Sequence, residues 1–163
     1  MVDRTLAVNA WEALFRAQVA VMRKLSAEFP SGELSLNEYD VLFNLSRAPG
    51  RRLRIRDLNK TLLVTQPSVS RMVDRLASRA LVAKSEDPGD GRGTIVSLTD
   101  HGFETYRATA TIHAASIAHY VGDALDSADL EQLMALCISL RDSVDDTMIG
   151  LDAARDVGGT ATP

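Results

Sequence analysis

Gln66, Ser68, Ser70, Arg71 and Arg75 stand close together in the chain, and their side chains suit one kind of chemistry. A glutamine amide offers a donor and an acceptor side by side, as the major-groove edge of adenine requires, and an arginine fork matches guanine in the same way. Serine hydroxyls suit phosphate oxygens, as do the exposed N–H groups that open a helix. Thr65 and Pro67 add apolar surface suited to a thymine methyl group. A second cationic feature follows at Arg92, in Asp87-Pro88-Gly89-Asp90-Gly91-Arg92-Gly93. With glycine on both sides, Arg92 can approach a phosphate backbone or enter a narrow minor groove. Asp90 is expected to hold the Arg92 guanidinium by a bidentate contact, and Asp74 to brace a neighbouring arginine. Arg51, Arg52, Arg54 and Arg56 lie in an extended stretch whose alternation aims about half of them one way, with Arg54 taken as a phosphate contact.

These residues need a scaffold that buries one side of a helix and frees the other. Val69, Met72, Val73 and Leu76 repeat at i, i+3, i+4 and i+7, which predicts a helix from Gln66 to about Ala80, with Thr65 as N-cap and Pro67 in its first turn. A short helix over about 55–62 precedes it after a tight turn. Upstream, the spacing predicts a helix from Thr5 to Glu28, with Trp11, Leu14, Val21 and Leu25 on one stripe. A second helix runs from the capping box Ser35-Leu36-Asn37-Glu38 to about Ser46. After Ala80 the period becomes strand-like. Residues 81–86 and 94–98 read as a hairpin around a Gly- and Pro-rich loop. Thr99 then caps a long fifth helix, and Ser127 a sixth, whose stripe of Leu133, Cys137, Leu140 and Val144 is close to a heptad. Residues 152–163 are expected to form a disordered tail.

The result is a mainly α (α+β) fold with six helices and a small β-hairpin wing. One domain over residues 1–151 carries a winged helix-turn-helix lobe at 35–99. The 163 residues are enough for one core and too few for two comfortable ones. The net charge of −4 argues against nucleic acid only until its distribution is seen. Residues 47–92 hold eleven basic and five acidic side chains, a net of +6, leaving −10 for the remainder. One region facing a polyanion on a scaffold that repels it elsewhere would have that asymmetry. Aromatic residues are only 5%, which disfavours a single-strand binder that works by base stacking.

The segments Leu34–Leu42, Ser68–Leu76 and Asp87–Thr99 together resemble the MarR-type regulators. Most specific is D-P-x-D-x-R-G followed at once by V-x-L-T and Gly102, and the resemblance spans about residues 5–150. It implies a triangular homodimer built from the first, fifth and sixth helices (5–28 and 100–149). It also implies binding to palindromic double-stranded operators, usually with repression relieved by small, often phenolic ligands. Carried over residue by residue, the DNA-facing set is Thr65 to Ser68, Ser70, Arg71 and Arg75 with Asp90 and Arg92. One departure stands out: Ala80 occupies the place where the family often has glycine, suited to a left-handed helix end.

Other residues invite blander roles. Cys137, the lone cysteine, sits in an apolar stripe without a nearby cation and is expected to pack rather than react. His101, His113 and His119 lack the spacing of a metal set, so neither metal nor cofactor is expected. Trp11, Arg16 and His113 are candidates to line an effector site, with dimer packing, a surface charge and a core role as their defaults. No nucleophile–base pair or phosphate loop suggests an enzyme. A membrane span or secretory leader is not evident, and a cytoplasmic location is expected. The competing function is a winged-helix interaction scaffold that has lost DNA binding.

Overall fold

The computed structural model describes residues 3–30, 32–62 and 66–144, leaving aside the side chains of Gln66, Pro67 and Arg92. The expected N-cap Thr65 and the tail 152–163 lie outside the described residues. Helix α1 (Arg4–Ala27) opens on Asp3, whose carboxylate accepts from the Thr5 N–H at 2.9 Å. Helix α2 (Leu36–Arg47) opens on the capping box that the sequence predicts. Ser35 Oγ accepts from the Glu38 N–H, while Glu38 Oε2 accepts from Ser35 N and Oγ, each at 2.9 Å.

Beyond a short 3-10 turn at Pro49–Arg51, strand β1 (Arg52–Arg54) leads into α3 (Ile55–Thr61) and α4 (Gln66–Ser78). Strands β2 (Val82–Asp87) and β3 (Asp90–Leu98) follow. The expected hairpin is present as β2 and β3, and β1 joins it as a third strand: all pairing is antiparallel in the order β1-β3-β2, with Leu53 opposite Val96. Nor is 87–93 a loop. Asp87 pairs with Asp90 across a turn at Pro88-Gly89, so Gly91 to Gly93 belong to β3. Gly93 fits there because a Cβ would stand 2.9 Å from Asp87 Cβ. Glycine-rich composition signalled a close approach of two backbones rather than an irregular loop.

The core is gathered by α2, α3, α4 and the sheet. Val41, Leu42 and Leu45 meet Leu58, the α4 stripe Val69, Met72, Val73 and Leu76, and then Leu81, Val82, Val96 and Leu98. Each fully buried side chain of this kind stabilises by about 1.5–3 kcal/mol. At its C-terminus α4 closes with Leu81 N donating to Leu76 O and Ala80 N to Ala77 O, both at 3.0 Å. Ala80 holds φ +56°. This is the left-handed helix end that glycine would suit, adopted by alanine.

Helix α5 (Asp100–Ile117) is locked to that end. Thr99 Oγ1 accepts from Gly102 N at 2.9 Å and lies within donating distance of Ala80 O and Leu81 O. A Cβ on Gly102 would come within 1.9 Å of Leu81 O, which explains the glycine at that distance from the threonine. The buried face of α5 is Gly102, Thr105, Thr109 and His113. Both threonine hydroxyls donate to carbonyls one turn back. A π-helical turn at Ala118–Gly122 leads to α6 (Ser127–Val144). Its cap is Asp126, whose carboxylate accepts from Asp129 N at 2.9 Å, and not Ser127.

Candidate nucleic-acid interface and an adjoining cavity

Helix α4 separates its two faces as the sequence requires. Val69, Met72, Val73 and Leu76 are buried, Arg71, Asp74 and Arg75 are exposed, and Ser68 and Ser70 are half-buried. The first turn of α4 carries Gln66 and Pro67, so their backbone positions share that end of the helix. Several charges also have internal tasks. Arg75 Nε stands 3.9 Å from Glu38 Oε1, and Arg79 Nη1 stands 3.5 Å from the same oxygen. Arg79 also donates to Glu33 O. The residue that caps α2 thus anchors α4, a link that local sequence patterns do not reveal. Asp74 pairs at 2.7 Å with Lys84 of β2, not with the neighbouring arginine expected. That bridge ties helix to wing.

Arg54 is engaged inside the protein. Its Nε lies 2.6 Å from Asp87 Oδ2, and the Asp87 side chain is only 4% exposed. Asp87 Oδ1 also accepts from Gly89 N at 3.0 Å, shaping the wing turn. Sequence reading missed Asp87, although Asp-Pro-Gly is the signature of such a turn. Asp90 stands 3.9 Å from Arg56 Nη1, and the Arg92 side chain on which its expected role depends is outside the description. Arg51, one of the four arginines considered for phosphates, instead lies over the Phe103 ring at 3.6 Å and pairs with Asp100 at 3.5 Å. Arg52 is exposed on β1.

Behind this lobe is a cavity of about 420 Å³, formed by Met22 of α1, Leu36, Asn37, Tyr39, Asp40 and Phe43 of α2, Thr61 of α3, and His113 and Ile117 of α5. That volume is in the range of small-molecule sites. The lining residues Tyr39 and His113 pack against each other, against Phe29 and, for Tyr39, against Tyr106, with ring centroids 5.2–5.6 Å apart. Burial, aided by Tyr106, pushes the Tyr39 hydroxyl up to about 12. Burial also raises the Asp40 carboxyl and lowers the His113 imidazole. Of the three effector candidates, only His113 lines this cavity. Trp11 stacks on Phe15 along α1 and is 61% exposed. Arg16 pairs with Glu12 at 2.6 Å on a separate shallow groove of α1.

The outer helices expose their apolar stripes. Leu133 and Leu140 are 39% and 48% exposed and Val144 is 79% exposed, with Cys137 half-buried beside them. Among the described residues no helix is long and apolar enough to cross a membrane, and no group of three potential metal ligands is gathered.

Comparison with known proteins places these features in a family. A MarR-family model matches residues 33–93, the span from the start of α2 into β3. The structure of Sco3205, a MarR family transcriptional regulator from Streptomyces coelicolor in complex with DNA, is similar over 88% of this chain and 90% of its own, at TM-score 0.71 and 25% identity. Over residues 33–93 the chain matches the MarR family, and its fold as a whole is the MarR-type winged helix-turn-helix. AbsC, a MarR family transcriptional regulator from the same organism, matches at TM-score 0.71 and 27% identity over 88% of this chain and 97% of its own. PcaV, a transcriptional regulator also from that organism and in complex with its natural ligand, matches at TM-score 0.65 and 26% identity over 89% and 100%. No curated protein gives a significant match. The MarR-type fold accounts for the six helices and for the wing, its third strand included.

Proposed function

We propose that the protein is a sequence-specific regulator of transcription, acting in the cytoplasm as a homodimer on a palindromic double-stranded operator. It acts as a repressor, and a small ring-bearing ligand in the cavity relieves repression. The observation that carries this is the division of α4. A fully buried stripe fixes the helix, while Ser68, Ser70, Arg71 and Arg75 lie off that stripe beside a wing that carries Arg92. That is what a helix needs to enter a major groove while a wing reaches the neighbouring backbone. Arg54, tied to Asp87, serves this surface by holding the wing in shape.

Support for the homodimer comes from the apolar residues left exposed on the outer helices, among them Leu6, Trp11 and Phe15 on α1 and Leu136 and Leu140 on α6. Exposed patches of this kind mark association surfaces. Two subunits joined there would present two copies of α4 to half-sites one helical turn apart. Similarity to a MarR family regulator solved with DNA and to one solved with its ligand supports both activities.

The test is gel retardation with the DNA that flanks the gene, across a series of salt concentrations. Binding should weaken steeply with salt, and each of Arg71→Ala, Arg75→Ala and Arg92→Ala should lower the slope of log affinity against log salt by about 0.9 where the arginine contacts a phosphate. Indifference to salt and to all three substitutions would favour the interaction scaffold.

A further inference from the structure

The cavity behind the DNA-binding lobe has a charge character that its ring-lined walls do not predict. Asp40 is the one charged residue among the described residues that line it. Its Oδ1 accepts from Asn44 Nδ2 at 3.2 Å, the one side-chain hydrogen bond to this carboxylate among the described residues. Burial raises the Asp40 carboxyl above its ordinary range, as expected for an acid set in an apolar wall without a counter-ion. His113 is a poor counter-ion, since burial lowers its imidazole and disfavours the charged form. Arg47 lies over the Phe43 ring at 5.4 Å but does not line the cavity, and Arg16 belongs to the separate groove on α1. An aromatic carboxylate entering here would bring a second negative charge beside Asp40 and meet no cation among the described lining residues.

We infer that this cavity takes a ring-bearing organic cation, its ammonium nitrogen paired with Asp40, and discriminates against aromatic carboxylates. Tyr39 and Phe43 line the cavity with aromatic rings, a setting that suits a cation and an aromatic ligand. Met22 adds an adaptable apolar side chain to the lining. The assignment rests on the proposal that the cavity is the effector site, and it narrows the class of effector.

Calorimetric titration of the full-length protein at pH 7 with 2-naphthylmethylamine and with 2-naphthoate tests it. The amine should bind about tenfold or more tightly than the acid, the factor expected of one charge-assisted hydrogen bond. Asp40→Asn should remove most of that preference, and Met22→Trp, which fills the cavity, should abolish amine binding. Equal or tighter binding of the acid overturns the inference, as does binding of neither probe. Preference for the amine that survives in Asp40→Asn, or amine binding that survives in Met22→Trp, overturns it too. Should Asp40→Asn fail to fold, the wild-type ratio and Met22→Trp decide. Gel retardation on the same samples separates the two proposals. An amine that binds the cavity without weakening DNA binding removes the regulatory role and keeps the ligand class. Preference for the acid with DNA binding intact removes the ligand class alone.

Discussion

Replacing Ala80 by glycine should make the protein more stable. Ala80 holds φ +56° where α4 ends, and a left-handed conformation costs an L-residue about 1–2 kcal/mol. Glycine adopts it without that cost. The two hydrogen bonds that define the helix end, Leu81 N to Leu76 O and Ala80 N to Ala77 O, involve only backbone and survive the change. The Ala80 side chain is exposed, so little packing is lost. Opposing the gain is the greater freedom of glycine in the unfolded chain, about 0.4–1 kcal/mol. A net stabilisation of about 0.5–1 kcal/mol remains. Urea unfolding followed by ellipticity is the assay, at one fixed protein concentration because self-association alters apparent stability. With an m-value of about 2 kcal/mol/M, the midpoint should rise by about 0.3–0.5 M. Ala83→Gly, at an exposed position of β2, is the control and should lower stability by about 0.5–1 kcal/mol. A midpoint that falls in Ala80→Gly as it does in Ala83→Gly would refute the strain assigned to Ala80.

Gly102→Ala should cost more than about 2 kcal/mol, since its Cβ would meet Leu81 O at 1.9 Å, and thermal unfolding will show a correspondingly lower midpoint. Arg54→Ala should cost about 1–3 kcal/mol by leaving the buried Asp87 carboxylate without its cation. In gel retardation it should weaken DNA binding while leaving the salt slope near the wild-type value, whereas loss of a phosphate contact would lower that slope. Burial depresses the folded-state pKa of His113, so its contribution is present above the unfolded value of about 6.5 and is lost as pH falls below it. Urea unfolding at pH 7.5 and 5.5 should therefore show a smaller drop in stability for His113→Asn than for the wild type. An equal drop in both proteins would assign the pH dependence to other groups.

Local signals proved readable where the chain's own neighbours decide the outcome. The α2 capping box and the buried stripe of α4 stand where periodicity and side-chain chemistry put them, because both are settled within a turn or two of helix. Non-local pairings were not legible. Nothing in Arg52-Leu53-Arg54 announces a strand, since its partner lies more than forty residues onward in β3. Separations of more than thirty residues likewise hide the link from Arg54 to Asp87 and that from Arg75 to Glu38. A basic sequence stretch looks like a phosphate-binding strip until the acids facing it in three dimensions are counted. Asp126 took the cap of α6 ahead of Ser127 by a register difference of one residue, which composition alone does not separate.

Leu36 and Asn37 wall the cavity, and the very next residue, Glu38, grips Arg75 and Arg79. Cavity wall and the anchor for Arg75 and Arg79 of α4 are mounted on the same turn of α2, like two pans on one short beam. Whatever tips the first turn of α2 must either drag the arginines along or break their hold on the carboxylate.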